Sequence, residues 1–259
     1  MISADTVYFI SDAHLGADCP GCEAREGHLL DFLATLRGKA RALFIVGDLF
    51  DFWIEYPNAI RPDYFTVLHH LRMLIESGVN VHYLAGNHDF ALGPFLTDTV
   101  GISIHTGHCT LTLHGKRIHL HHGDGLVGKD IGYHFLRAVL RNRLNQRLFK
   151  LIHPDIGIPF AKFCSHASRY FLKRTCSERK LAQYRRVARQ FIGRGSDIVV
   201  FGHTHRPELY DFGAASYCNT GEWIRRYTYA KLEGGDMTLW EYFPREGSRR
   251  IQAVVEPAK

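Results

Sequence analysis

The chain has 259 residues, 46% of them apolar, and a formal net charge of +6. That length suits one α/β domain with an insertion better than two domains, and the apolar share is enough for a full core. No stretch approaches the ~18 uninterrupted apolar residues of a membrane span, and the N-terminus enters a strand pattern at Val7 without a charged and then apolar leader. The expectation is a cytoplasmic protein, or one held loosely on the cytoplasmic side of an inner membrane.

In chain order, Val7–Ile10 reads as a buried strand, and Glu26–Leu36 as a helix with Leu29, Leu30, Leu33 and Leu36 on one face. Leu43–Val46 is a second strand. Pro62 suits a first helical position, Leu68, Leu71 and Ile75 continue a helical face, and Gly78 is a natural stop. Val79–Leu84 returns to strand, which makes a βαβαβ pattern and a parallel sheet covered by helices. Ile102–His105, Cys109–Leu113 and Arg117–His121 are short strands with turns at Gly107 and Gly115. After an interruption come Ile198–Phe201, Glu208–Asp211, Ser216–Asn219, Tyr227–Leu232 and Met237–Tyr242, with Gly234-Gly235 as a hairpin signal. Residues 246–259 read as a frayed tail.

The interruption, 127–192, has its own character. Leu136, Val139, Leu140, Leu144, Leu148 and Leu151 follow helical spacing. So do Phe160, Phe163, Cys164, Ala167 and Phe171, and then Leu181, Tyr184, Ala188 and Phe191. Residues 129–194 hold sixteen Lys/Arg and three acids, a balance of +13, and the rest of the chain sums to −7. A basic block inside an acidic chain points to an anionic partner. Two or three helices inserted here would emerge beside whatever the flanking motifs build, as a lid or as a dimer contact. Core segments 1–126 and 193–245 then bracket the insertion.

Five short motifs carry the chemistry: Asp12-Ala13-His14, Gly47-Asp48, Gly86-Asn87-His88-Asp89, His122-Gly123-Asp124 and Gly202-His203-Thr204-His205. Asp12, His14, Asp48, Asn87, His122, His203 and His205 offer the oxygens and imidazole nitrogens that Mn, Fe or Zn accept. Four of the motifs directly follow apolar runs, so their ligands would share one rim of a sheet.

This order and spacing resembles the calcineurin-like metallophosphoesterases over nearly the whole chain. The resemblance implies a four-layer α/β/β/α sandwich with an inserted helical lid, and two divalent metals, Mn foremost with Fe or Zn as alternatives. Asp48 would bridge them, Asp12, His14 and His205 would complete one shell, and Asn87, His122 and His203 the other. Two ions ~3.5–4 Å apart lower the pKa of a bridging water and clamp an in-line displacement at phosphorus, so the nucleophile is hydroxide rather than a side chain. His88 would stabilise the phosphoryl oxygens or protonate the leaving group. Asp89 would orient His88 and Asp124 would orient His122, or both are simply turn-forming. His119 and His121 read as packing or surface residues.

Within that superfamily, Gly47-Asp48-Leu49-Phe50-Asp51-Phe52-Trp53, the His-Gly-Asp motif and Gly202 to Pro207 resemble the UDP-2,3-diacylglucosamine pyrophosphohydrolases of lipid A biosynthesis. That resemblance implies Asp130, Tyr133 and Arg137 near the substrate, with Asn87 and His88, and a lid sheltering acyl chains. Arg169, Lys173 and Arg174 stand in approximately for its polar lid stretch. The implied partners are an amphipathic nucleotide-lipid and an anionic membrane surface, with no nucleic acid. One departure is His88, where the best-studied branch has Arg. Another nucleotide or phospholipid ester is the alternative substrate, a nuclease a third reading, and a metal-free scaffold of this fold a fourth. Six cysteines are expected as thiols. Cys19-Pro-Gly-Cys22 is either a tight turn or a redox- or metal-sensitive pair.

Overall fold

A computed structural model describes residues 5–18, 23–89, 91–128, 138–161 and 177–255. Cys19, Cys22, Asp130, Tyr133, Arg137, Cys164, Arg169, Lys173, Arg174 and Cys176 lie outside the described residues. The elements are β1 (Val7–Ile10), α1 (Arg25–Leu36), β2 (Ala42–Val46), α2 (Phe65–Glu76), β3 (Asn80–Leu84), β4 (Ser103–His105), β5 (His108–Leu113) and β6 (Lys116–His121). Then come α3 (Arg143–Phe149), α4 (Glu178–Ile192), β7 (Ile198–Phe201), β8 (Glu208–Asp211), β9 (Ser216–Asn219), β10 (Thr228–Glu233), β11 (Asp236–Phe243), β12 (Gly247–Ile251) and β13 (Val254–Val255).

Two sheets form, of order β12-β11-β10-β1-β2-β3-β4 and β13-β8-β9-β7-β6-β5. Strands β1 to β4 run parallel, as do β6, β7 and β9, and the hairpin strands β10 to β12 extend the first sheet in antiparallel fashion. Side-chain alternation explains the layering. Val7 and Phe9 of β1 point into an apolar cluster shared with Ile118, Leu120, Ile198 and Val200, which is the space between the sheets. Tyr8 and Ile10 point the other way, to Leu29, Phe32 and Leu33 of α1 and Leu71 of α2. On β7, Val199 and Phe201 face Tyr184 and Ala188 of α4. Helix, sheet, sheet, helix is therefore the observed order, and the central strands β1, β2 and β7 are buried on both faces because each face has its own cover.

The expected strands return within a residue or two, including the hairpin closed at Glu233 and Asp236 around Gly234 and Gly235. Three expectations change. Helix α4, expected within the insertion at 127–192, packs on the second sheet: Tyr184 and Ala188 are buried against Val199 and Phe201, and Leu181 is buried as well. The helical pattern from Leu136 to Leu151 is broken at Asn142, whose side chain accepts from the N–H groups of Leu144 and Asn145 and starts α3 as its N-cap. The described part of the expected frayed tail, residues 246–255, is mostly strand: β12 pairs with β11, and β13 crosses to the second sheet to pair with β8.

Candidate metal centre

Every candidate metal-ligating motif sits just beyond the C-terminal end of a parallel strand. Asp12 and His14 follow β1, Asp48 follows β2, Asn87 and His88 follow β3, His122 follows β6, and His203 and His205 follow β7. The ladder hydrogen bonds end there, and loop-to-loop bonds replace them. The N–H of Asp12 donates to Gly47 O at 3.1 Å, that of His14 to Asp48 O at 2.9 Å, and that of Gly202 to His122 O at 2.9 Å. Five of the candidate ligands, Asp12, His14, Asp48, His203 and His205, have φ between 44° and 67°. Left-handed backbone is uncommon for such residues and is held here by surrounding contacts.

Among the described residues, candidate ligand atoms converge in three groups, of which two hold the expected ligands and the third joins His14 to Asp51 and His88. Asp12, His14 and His205 form one of the two, with His205 Nε2 3.3 Å and His14 Nε2 3.8 Å from Asp12 Oδ1. Asp48, His122 and His203 form the other, with His122 Nε2 3.2 Å from Asp48 Oδ2 and 3.1 Å from Asn87 Oδ1. Asp48 Oδ2 also lies 3.7 Å from His14 Nε2, so one oxygen faces both groups. Its other oxygen, Oδ1, accepts the His88 N–H at 2.9 Å. Asp12 is divided the same way: Oδ2 accepts from His203 N–H at 2.8 Å and from the Ser11 hydroxyl, and Oδ1 faces the imidazoles. The structure thus brings the expected residues together in two clusters, with Asp48 between them.

Physical tests agree that these residues suit cations. Asp12 Oδ1 and both ring nitrogens of His14 are buried without a hydrogen-bond partner, which is costly unless something charged satisfies them. Burial raises the Asp12 pKa, but His205, His14 and His122 outweigh it and hold it at about 2. Burial also acts against Asp48, whose pKa is nevertheless lowered by His122, His88 and His14. Burial lowers His14, and burial with His122 takes His203 down to about 3, so both imidazoles present lone pairs. His122 goes the other way: burial opposes its charge, but Asp48 and Asp12 raise it well above the ordinary value. Its Nδ1–H donates to Val46 O at 2.8 Å, leaving Nε2 toward Asp48 and Asn87. A divalent cation would take the place of the proton there. Close packing fixes the loops, since a Cβ on Gly202 would lie 2.8 Å from Asp12 Oδ2 and one on Gly86 2.6 Å from Asp48 N.

The outer residues differ from expectation. Asp89 does not reach His88. It is wholly buried and accepts from the N–H groups of Gly86 at 2.9 Å and of Asp48 and Phe50 at 3.2 Å each, and from the Tyr83 hydroxyl. It therefore braces the loop that carries Asp48. Burial and the Asp48 charge raise its pKa to about 6. The group beside His88 is Asp51, whose carbonyl accepts from His88 Nδ1–H at 3.1 Å and whose carboxylate lies 3.6 Å away. The same carboxylate is 3.9 Å from His14 Nδ1. Asp51 had no assigned role in the sequence, although it stands three residues after Asp48. Asp124 does not orient His122, which the Val46 carbonyl does; it meets Arg141 of the insertion at 3.3 Å. His119 packs on Phe191, ring centroids 4.0 Å apart, and His121 accepts the Gly123 N–H, so neither is a ligand here.

The sequence profile described as "Calcineurin-like phosphoesterase" matches residues 6–207. The chain belongs to that family, and is a metal-dependent phosphohydrolase. A UDP-2,3-diacylglucosamine hydrolase of Stenotrophomonas maltophilia is 31% identical over 246 residues, covering 90% of this chain and 97% of that protein. One of Porphyromonas gingivalis is 30% identical over 260 residues, covering 90% and 96%. Among solved structures, an archaeal phosphodiesterase is 13% identical, covers 95% of this chain and 98% of its own, and has a TM-score of 0.48. A zinc complex of Vps29 from Entamoeba histolytica is 16% identical, covering 95% and 98%, with a TM-score of 0.47.

Proposed function

We propose that the chain hydrolyses UDP-2,3-diacylglucosamine to UMP and 2,3-diacylglucosamine 1-phosphate, with two Mn ions as the preferred metals. The observation that carries the reading is the match, at 30–31% identity over 90% of the chain, to relatives named for that hydrolysis. The surface of the insertion supports it. Val139, Leu140, Leu144, Leu148, Leu151, Ile152, Ile156 and Phe160 are all exposed, and basic side chains at Arg143, Arg147 and Lys150 lie among them. Exposed apolar surface rimmed by cations suits acyl chains and an anionic lipid surface. Among the described residues no helix is long and apolar enough to cross a membrane, so contact with lipid would be lateral.

Bound at Asp12, His14, Asp48, Asn87, His122, His203 and His205, the metals would lower the pKa of a water and offset charge on the phosphoryl oxygens. The chain's own residues supply the rest. Asp48 Oδ1 is held by the His88 N–H so that Oδ2 is turned to both shells. His88, whose Nδ1 is held by the Asp51 carbonyl, would stabilise a phosphoryl oxygen or protonate the leaving oxygen. The test is a Mn-supplemented panel followed by phosphorus NMR: the diacylated UDP-sugar, the same sugar without acyl chains, cyclic nucleotides and single-stranded DNA. The diacylated compound should give UMP at a rate at least tenfold above the others, as apolar lid contacts would add. Faster turnover of a cyclic nucleotide or DNA would replace this reading.

A further inference from the structure

Arg141 was not singled out in the sequence, yet it reaches from the insertion to the rim of the centre. Its Nη2 donates to Gly86 O at 3.0 Å and to Asp124 Oδ2 at 3.3 Å. Gly86 adjoins Asn87, and Asp124 follows His122 by two residues, so one guanidinium spans both loops that carry the Asn87–His122 half of the site. Asp124 is buried, and Arg141 keeps about a quarter of its side chain in solvent.

A simple anchor for the insertion would explain these bonds, but the insertion already has one. Phe149 and Ile158 pack on Ile54, Tyr56 and Phe52, an apolar seam on the core side of the insertion. Arg141 instead meets the two loops that carry Asn87 and His122. Guanidinium is permanently charged and offers a planar fork matched to phosphate oxygens. Holding it against a backbone carbonyl and a buried carboxylate orders the fork before substrate arrives, which lowers the cost of binding.

We propose that Arg141 binds the non-reacting phosphate of a diphosphate substrate at the Asn87–His122 side, and that Asp124 positions it. The proposal rests on the diphosphate reading above. It gives the insertion a polar recognition role beside its apolar surface, and gives Asp124 a partner other than His122.

The experiment compares Arg141→Ala, Arg141→Lys and Asp124→Asn with the parent protein, each loaded with Mn. Steady-state constants are measured on UDP-2,3-diacylglucosamine and on bis-p-nitrophenyl phosphate, which has a single phosphorus. Inorganic pyrophosphate and orthophosphate are tested as inhibitors of the second reaction. Arg141→Ala should lose about thirtyfold or more in kcat/KM on the diphosphate, mostly through KM, as expected for one charge-assisted contact. Its loss on the single-phosphate ester should be at least tenfold smaller. Lysine should recover part of the loss, and Asp124→Asn should raise KM more than it lowers kcat. Inhibition by pyrophosphate should weaken about tenfold in Arg141→Ala relative to orthophosphate. Equal losses on both esters, with unchanged pyrophosphate selectivity, would make Arg141 a structural pin and overturn the proposal. No loss on either would overturn it as well. If the parent cleaves only the single-phosphate ester, the substrate reading fails, and the pyrophosphate inhibition alone decides the role of Arg141.

Discussion

Replacing Gly86 by alanine should displace Asp48, the carboxylate between the two candidate ligand groups, without removing any of their side chains. A Cβ at this position would stand 2.6 Å from the Asp48 backbone nitrogen and 2.8 Å from its carboxyl carbon. Carbon atoms rest at about 3.5–4.0 Å, so Asp48 must retreat by roughly 0.7 Å or more. It cannot swing freely, because Asp89 holds its N–H and His88 holds Oδ1. Ligand distances in a working metal site tolerate about 0.2 Å, and a 1 Å misplacement of reacting groups can cost about a hundredfold in rate. The expected result is a ten- to hundredfold loss of turnover on bis-p-nitrophenyl phosphate with weaker metal retention on dialysis. Destabilisation of about 1–3 kcal/mol should accompany it as the cost of overpacking. Gly27→Ala is the control: it lies on α1, its Cβ would meet nothing within 4 Å, and its stability should stay equal or rise. A Gly86→Ala protein with two tightly held metals and turnover within threefold of the parent would refute the placement of Asp48 against that glycine.

Asp48→Ala should lose both ions and essentially all turnover, because one oxygen faces both ligand groups; elemental analysis of the purified variant checks it, and two retained metals would contradict the bridge. His88→Ala should keep its metals but lose about 10²–10³-fold in turnover, the scale of one transition-state donor or acid; a collapse of metal content instead would make His88 a ligand. Burial, followed by His108, Arg117 and Arg194, lowers the His119 pKa from 6.5 to about 4. The unfolded chain therefore takes up this proton first, so the stability linked to His119 is fully present above pH 6.5 and drains as pH falls toward 4. Between pH 7 and 5 the parent should lose about 2 kcal/mol on this account. His119→Phe, which retains the stack on Phe191, should show a correspondingly flatter profile in urea unfolding, and an unchanged slope would remove His119 as the cause.

What the sequence made legible was set by strands buried on both faces. Runs such as Ala42–Val46 and Ile198–Phe201 are apolar throughout, so their ends are visible, and a polar residue just past each end has one place to go. The roles of Asp89 and Asp51 were not legible, because adjacency in sequence does not fix direction around a tight turn. Asp89 follows His88 directly yet turns inward to donors from residues 48, 50, 83 and 86. Asp51, thirty-seven residues before His88, is the one that meets it. Helix α4 carries the same periodic pattern as the insertion, and only its sheet partner, Phe201 with Tyr217, distinguishes core from lid. The C-terminal strands were missed for a related reason: Gly247–Ile251 is mostly exposed and polar, so it has no burial signature and gains its structure from the free edge of β11.

The two halves of the centre are braced against each other rather than built separately. Asp12, in the first group, has its outer oxygen fixed by the N–H of His203, from the second. Asp48 has its outer oxygen fixed by the N–H of His88, beside Asn87, and turns its inner oxygen to both groups. The His14 loop hangs from the Asp48 backbone, and Asn219 secures Gly202 through its carbonyl at 2.7 Å. Some of these contacts join neighbouring loops of one sheet, and two cross between the sheets: His203 N–H to Asp12, and His122 Nδ1–H to the Val46 carbonyl. A cation that orders one group also fixes the loop feeding the other, so occupancy of the two positions should be coupled through backbone as well as through the shared carboxylate. This bracing also accounts for the left-handed backbone at Asp12, Asp48 and His203: Asp12 and His203 are tied to each other across the sheets, and Asp48 is held by Asp89 and His88 from the neighbouring loop of its own sheet.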